Sequence, residues 1–179
     1  MRIKVIIVSD NHGHSQILQK IYDRHAQEVD YFIHCGDSQL AADHPAMRYY
    51  LSVSGNCDYG GSYPKERIVS LPGQINVFVT HGHLYQVKMS MSSLHHQARA
   101  ANAAIVCYGH SHQVDARMIA GTLFINPGST LFPRNTRQPT YASLAIYEHL
   151  YEVEILDVSS SKAILTYQFD REEGGTDDG

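Results

Sequence analysis

Residues 103–112 read AAIVCYGHSH. The β-branched centre flanked by small apolar residues reads as a strand buried on both faces. It closes on Gly109 and then presents two imidazoles, His110 and His112. A polar turn accounts for such an ending, and so does a metal site. The choice turns on what the rest of the chain can bring to the same place.

Working outward, the same kind of ending recurs. IKVIIVS (3–9) is a second buried run and stops at DNHGHS, with Asp10 and His12. DYFIHCG (30–36) leads into Asp37, and LSVSG (51–55) leads into Asn56 within GNCD. INVFVTHG (75–82) delivers His81, and KERIVSL (65–71) precedes it across the turn PGQ. Between these runs, SQILQKIYDRH (15–25) sets Ile17, Leu18, Ile21 and Tyr22 on one helical face, with Ser15 as N-cap. A short helix is expected from Pro45, and 90–103 is helical by propensity. The later chain changes texture. ARMIAGTLFINPGS (116–129) reads as a hairpin turning at Ala120-Gly121. YASLAIYEH (141–149) and YEVEILDV (151–158) alternate with period two, and KAILTYQF (162–169) is a last strand. Parallel βαβ-like pairing in the first half and antiparallel pairing in the second give an α/β fold. Two mixed sheets pack face to face, with helices outside.

The chain has 179 residues, enough for one core without disulfide or metal staples, and residues 1–169 are expected to form a single domain. Net charge is −4, and residues 170–179 supply all of it, with five carboxylates against one arginine. That acidic tail is expected to be disordered. The body is near neutral, without a basic stripe for nucleic acid or a membrane surface. No apolar run is long enough to span a bilayer, and the first residues do not read as a signal peptide. Three scattered cysteines, Cys35, Cys57 and Cys107, argue for a reducing cytoplasm. Cys35 and Cys107 lie in apolar strands and read as inert core thiols.

The informative excess is in the twelve histidines. If the strands lie side by side, Asp10, His12, Asp37, Asn56, His81, His110 and His112 converge on one sheet edge. Seven oxygen and nitrogen donors suit two cations roughly 3.5–4 Å apart sharing a carboxylate. The absence of a thiolate cluster favours Mn²⁺, Fe or Zn²⁺ over a cysteine zinc site or a calcium loop. The D-x-H and H-x-H spacings are expected because residues two apart point the same way along extended chain. His34 reads as a satisfied core histidine. His25, His44, His95, His96 and His149 read as surface residues, and His83 is open between a site contact and a turn. Asn126 and Gly128 in NPGS read as supporting turn chemistry.

In this order the motifs DNH (10–12), GD (36–37), GNCD (55–58), THGH (80–83) and GHSH (109–112) resemble the signature of the calcineurin-like metallophosphoesterases. The short chain is most similar to the small YfcE-type phosphodiesterases. The resemblance implies a four-layer α/β/β/α sandwich and a dinuclear centre. Asp10, His12 and His112 would hold one ion and Asn56, His81 and His110 the other, bridged by Asp37. Mn²⁺ is the first choice of metal, with Fe, Zn²⁺ and Ni²⁺ as alternatives. The implied activity is hydrolysis of a phosphodiester, a nucleotide diester among the candidates, by hydroxide held between the ions.

One position departs from the family. Cys57 stands where many relatives place a histidine that protonates the leaving group or binds phosphate. A neutral thiol is a poorer acid, so His14 or a water is expected to compensate, and good leaving groups are expected to be favoured. Asp58 is expected to orient a neighbour. Arg134 is a candidate phosphate contact, weighed against a solvated loop arginine. The stretch CDYGGSYPKE leaves no room for a cap domain, so an open site suited to a diester is expected. Two other functions fit the same fold: a protein-docking scaffold without catalysis, and a phosphomonoesterase. Exposed apolar strands in the second half leave a homo-oligomer open.

Overall fold

The computed structural model describes residues 2–171. The first sheet is built on β1 (Ile3–Val8), β2 (Tyr31–His34) and β3 (Leu51–Ser52), which run parallel. The second is built on β4 (Glu66–Leu71), β5 (Ile75–Thr80), β6 (Ile105–Cys107), β7 (Val114–Ile119) and β8 (Thr122–Pro127). Three more strands, β9 (Thr140–Ile146), β10 (Leu150–Asp157) and β11 (Ala163–Asp170), return to the first sheet. The orders are β11-β10-β9-β1-β2-β3 and β4-β5-β6-β8-β7.

Alternation along the strands makes the layers. Val5 and Ile7 of β1 meet Val77 and Val79 of β5, Ile105 and Ile125 in one apolar core between the sheets. Ile6 and Val8 face the other way, onto Ile17, Leu18 and Ile21 of α1 (Ser15–His25). Phe78 and Val106 turn outward onto Leu94 and Ala98 of α2 (Ser92–Ala100). Strands so covered on both faces need no polar alternation, which is why they read as continuous apolar runs. The result is the expected four layers.

Several details differ from the sequence reading. β3 keeps only two residues, because Ser54 N–H leaves the sheet to bond Pro64 O at 2.8 Å. Ser15 is the first residue of α1 rather than its cap; His14 holds that position, without a side-chain cap bond. The Asn11–Ser15 turn already uses its own backbone there, with His14 N donating to Asn11 O at 2.9 Å. His25 is buried, not a surface residue. It continues the apolar stripe one turn beyond Ile21, and its Nε2 meets the Tyr141 hydroxyl at 2.8 Å. His95 is half-buried edge-on to Phe124, and His44 Nδ1 caps the short turn at Pro45–Met47. β11 runs through Asp170, the first residue of the expected acidic tail; residues 172–179 lie outside the described residues. Among the described residues, no helix is long and apolar enough to cross a membrane.

Candidate metal centre

The C-terminal ends of β1, β2, β3, β5 and β6 point to one rim, where the two sheets meet. The donors therefore come from both sheets, not from one sheet edge as the sequence alone suggested. Asp10 and His12 follow β1, Asp37 follows β2, Asn56 follows β3, His81 follows β5, and His110 and His112 follow β6.

The loops do not leave the strands in extended form. Asp10, His12, Asp37, His110 and His112 all adopt positive φ, between 43° and 69°. This corrects the expected reason for the i, i+2 spacing. Each of these five is aimed by a left-handed turn, a conformation that asparagine, aspartate and histidine tolerate best but that still costs roughly 1 kcal/mol or more per residue. Two motif glycines are fixed by close approach. A Cβ on Gly55 would lie 2.0 Å from Asp37 Oδ1, and one on Gly109 would lie 2.1 Å from Ser9 Oγ. No side chain fits there, so GN and GH are packing requirements of the site.

Asp10 lies at the centre, fully buried. Its Oδ2 accepts from Ser9 Oγ and from His110 N–H. Its Oδ1 has no hydrogen-bond partner, yet lies 3.1 Å from His112 Nε2 and 3.8 Å from both His12 Nε2 and His81 Nε2. The far side of each ring explains why. His12 Nδ1 meets Gln39 Oε1 at 2.9 Å, His81 Nδ1 meets Cys35 O at 2.8 Å, and His112 Nδ1 meets Phe132 O at 2.8 Å. An acceptor at Nδ1 places the ring hydrogen there, so each neutral ring turns a lone pair at Nε2 inward. His12 Nε2 and His112 Nε2 then face each other at 3.3 Å. His81 Nε2 likewise faces Asn56 Oδ1 at 3.1 Å and Asp37 Oδ2 at 3.3 Å. Acceptors packed against acceptors need a proton or a cation between them. Atoms of Asp10, His12 and His112 lie within 4.8 Å of one another, as do atoms of Asp10, Asp37 and His81, so each group could hold a cation. Carboxylate, imidazole and amide oxygen are a donor set suited to Mn²⁺, Fe or Zn²⁺. The residues fit the metal that the motifs imply.

Electrostatics agree. Burial raises Asp10, but His112, His81 and Ser9 outweigh it and hold the carboxyl below its usual range. Burial likewise opposes ionisation of Asp37, yet His81 and the Cys57 N–H drive it well below the carboxylate range. His81 is raised despite its burial, by Asp37 and Asp10, and His112 is raised by Asp10. His110 is pushed down to about 4 by burial, His81 and Lys88. It stands one ring away from the clusters, T-shaped against His81 with centroids 5.1 Å apart.

The remaining candidates divide. Cys57 Sγ lies with atoms of His12 and Asp37 in a third group within 4.8 Å. Burial and Asp37 raise its thiol, so it is protonated at neutral pH. Asp58 ties two donor loops together: Oδ2 accepts from Asp37 N–H at 2.7 Å and Gly55 N–H at 2.8 Å, and Oδ1 from Gln39 N–H at 2.7 Å. His34 is satisfied in the core, with Nε2 to Asn11 Oδ1 at 2.8 Å and Gly36 N–H donating to Nδ1 at 3.0 Å. Asn126 Nδ2 donates to Gly109 O at 3.1 Å and Ser111 Oγ at 3.0 Å, and Oδ1 accepts from Gly128 N–H, so NPGS braces the His110 loop. His14 is exposed at the start of α1, and Arg134 is exposed beside His112. His83, left open by the sequence, lies near His81 and His110 with ring centroids 5.4 and 6.1 Å away and a buried Nδ1 lacking a partner. Gln39 and Ser129, whose hydroxyl donates to Asp10 O at 2.7 Å, carried no sequence signal beyond lying next to motif residues.

The description "Calcineurin-like phosphoesterase superfamily domain" matches residues 3–149, and the chain belongs to that family. It is 39% identical over 160 residues to the probable metallophosphoesterase YsnB of Bacillus subtilis, covering 89% of this chain and 94% of that one. A crystal structure from Streptococcus pneumoniae, described as a predicted phosphoesterase, superposes with TM-score 0.90 at 34% identity, covering 96% of this chain and 99% of that one. Vacuolar protein sorting 29 from Cryptosporidium parvum shares the fold, with TM-score 0.78 at 18% identity over 95% of this chain and 99% of that one.

Proposed function

We propose that the protein is a metal-dependent phosphodiesterase whose centre holds two divalent cations, Mn²⁺ foremost. The observation that carries this is the ring of inward lone pairs around Asp10 Oδ1, each histidine locked from behind at Nδ1. Asp10, His12 and His112 form one half of the centre and Asn56, His81 and His110 the other, with Asp37 between them. When bound, the cations supply Lewis acidity toward a phosphoryl oxygen and a water that is acidic near neutral pH.

The chain's own groups do the positioning. Asp10 and Asp37 stay ionised throughout the neutral range, so neither needs to lose a proton to bind. Asn56 Nδ2, which points to Cys57 Sγ at 3.4 Å, lies at the open side and supplies a donor to a phosphoryl oxygen. Cys57 as a neutral thiol, and His14 out in solvent, are poor sources of a proton for a leaving alkoxide. Esters with acidic leaving groups are therefore the better substrates. The uncapped rim suits a diester, whose two arms must both extend away from phosphorus.

Turnover of bis(p-nitrophenyl) phosphate and p-nitrophenyl phosphate, with and without Mn²⁺, tests the reading. Metal-dependent hydrolysis favouring the diester supports it, and preference for the monoester makes the protein a phosphomonoesterase. No turnover with any divalent metal leaves the docking-scaffold alternative, a reading open to any chain of this fold. Three free thiols fit the reducing cytoplasm proposed as its compartment.

A further inference from the structure

A pocket of about 570 Å³ adjoins the centre, between the His110 loop, the turn at 131–135 and residues 87–91. Its size falls within the roughly 300–1,000 Å³ typical of small-molecule sites. None of the seven metal-site candidates lines it, but Ser111, which separates His110 from His112, does. The pocket adjoins the centre along the chain at Ser111, and its lining is chemically different.

Its charge is unbalanced. Lys88, Arg117 and Arg134 line it against one carboxylate, Asp115. That carboxylate is already committed: Arg117 Nε donates to it at 2.8 and 3.0 Å, and the Tyr108 hydroxyl donates at 2.6 Å. Lys88 and Arg134 have no carboxylate partner among the described residues. They stand on different walls. Arg134 lies in the turn whose N–H bonds His112 O at 3.0 Å, and its charge acts on His112. Lys88 follows Val87, which packs over Gly82, and its charge acts on His110. The two cations thus line the pocket, one on the side of His112 and the other on the side of His110. Both side chains are exposed, and neither has an internal counter-ion among the described residues.

The rest of the wall is mixed, with Ser90, Ser111, Gln113 and Asn135 beside an apolar group. Met89 is 84% exposed, and Val87, Met91 and the Tyr108 ring accompany it. Exposed, unbranched methionine adapts to flat, polarisable bodies. We propose that this pocket seats one organic arm of the phosphate ester, and that Lys88 and Arg134 select arms of nucleoside size that carry a second phosphate. The inference rests on the hydrolytic reading above and names its substrate class.

Two chromogenic esters separate the alternatives: thymidine 5′-(p-nitrophenyl phosphate) with a free 3′-hydroxyl, and the same compound with a 3′-phosphate. In both, water adds to phosphorus as the bond to nitrophenolate oxygen breaks, so the leaving group is constant. Charge-assisted contacts to the second phosphate should favour the 3′-phosphorylated ester about tenfold in kcat/KM. That ratio should fall toward one in Lys88→Gln/Arg134→Gln and below one in Lys88→Glu. It should also shrink with added salt. A ratio near one in the native protein overturns the proposal, as does a ratio that survives both variants. Calorimetry with thymidine 3′,5′-bisphosphate covers failure of the hydrolytic reading. Binding that weakens in the variants, with neither ester turned over under any divalent metal, upholds the pocket and removes the enzyme. Loss of both signals removes both.

Discussion

Replacing Asp58 by asparagine changes one atom and removes the charge that joins two donor loops. Asp58 Oδ2 accepts two backbone N–H groups, those of Asp37 and Gly55, while Oδ1 accepts the Gln39 N–H. An asparagine has one oxygen. The orientation that keeps the Asp37 and Gly55 bonds turns its NH₂ onto the Gln39 N–H, leaving a donor against a donor. Losing one hydrogen bond to a charged acceptor costs about 1.5–3 kcal/mol, and the two remaining bonds weaken as their acceptor becomes neutral. The expected loss is about 3 kcal/mol of unfolding free energy in urea. The consequence reaches the centre, because Asp37 is a proposed donor and Gln39 holds His12 Nδ1. Loss of such a supporting group typically weakens metal affinity about 10–100-fold. Urea unfolding of chelator-treated protein and calorimetric Mn²⁺ titration measure the two effects separately. A stability change below about 0.5 kcal/mol, with Mn²⁺ affinity unchanged, would refute the idea that Asp58 sets these loops.

Other perturbations probe the remaining steps. Saturating Mn²⁺ at about one hundred times its dissociation constant should raise unfolding stability by about 2.7 kcal/mol, and Asp10→Ala should abolish the rise in thermal unfolding scans. Mn²⁺ affinity should fall as pH drops, because protons compete for His81 and His112, both raised by neighbouring carboxylates; a pH-independent affinity would contradict the lone-pair assignment. His34, fully buried, is pushed from 6.5 down to about 4 by burial, so below pH 6.5 the unfolded chain binds a proton that the fold refuses. Stability from this group is complete above pH 6.5 and declines by roughly 3 kcal/mol down to pH 4, measured as the difference in pH slope between native protein and His34→Gln. Ala120 turns the β7–β8 hairpin at φ 46°, so Ala120→Asn should add about 0.5 kcal/mol in urea unfolding.

Much of this was legible in the sequence because buried strands and turn residues leave local marks. The runs 3–9, 75–82 and 103–109 announced central strands, and each leads to a candidate donor. The hairpin at Ala120-Gly121 formed as read, with positive φ at both turn positions. What stayed hidden depends on partners distant in sequence. β9 inserts beside β1, antiparallel, through pairs such as Ile7 with Ala142, and no local pattern distinguishes that from an edge position. Nor does periodicity reveal that β1–β3 and β5–β6 belong to different sheets. His25 looked like a surface residue because its buried hydroxyl partner, Tyr141, lies 116 residues away. The i, i+2 spacing of the candidate donors was given a wrong backbone reason. Extended chain was the simplest way to align residues two apart, but Asp10, His12, Asp37, His110 and His112 take left-handed turns, and the close approaches between loops at Gly55 and Gly109 are invisible before folding.

The most direct measurement is the anomalous scattering map of a crystal grown with Mn²⁺. Two peaks roughly 3.5–4 Å apart are expected. One should touch Asp10 Oδ1 and the Nε2 atoms of His12 and His112, the other Asn56, His81 and His110, with Asp37 bridging. A map with no peak among these side chains, or with the imidazoles turned so that Nδ1 faces the centre, would contradict the account at its root.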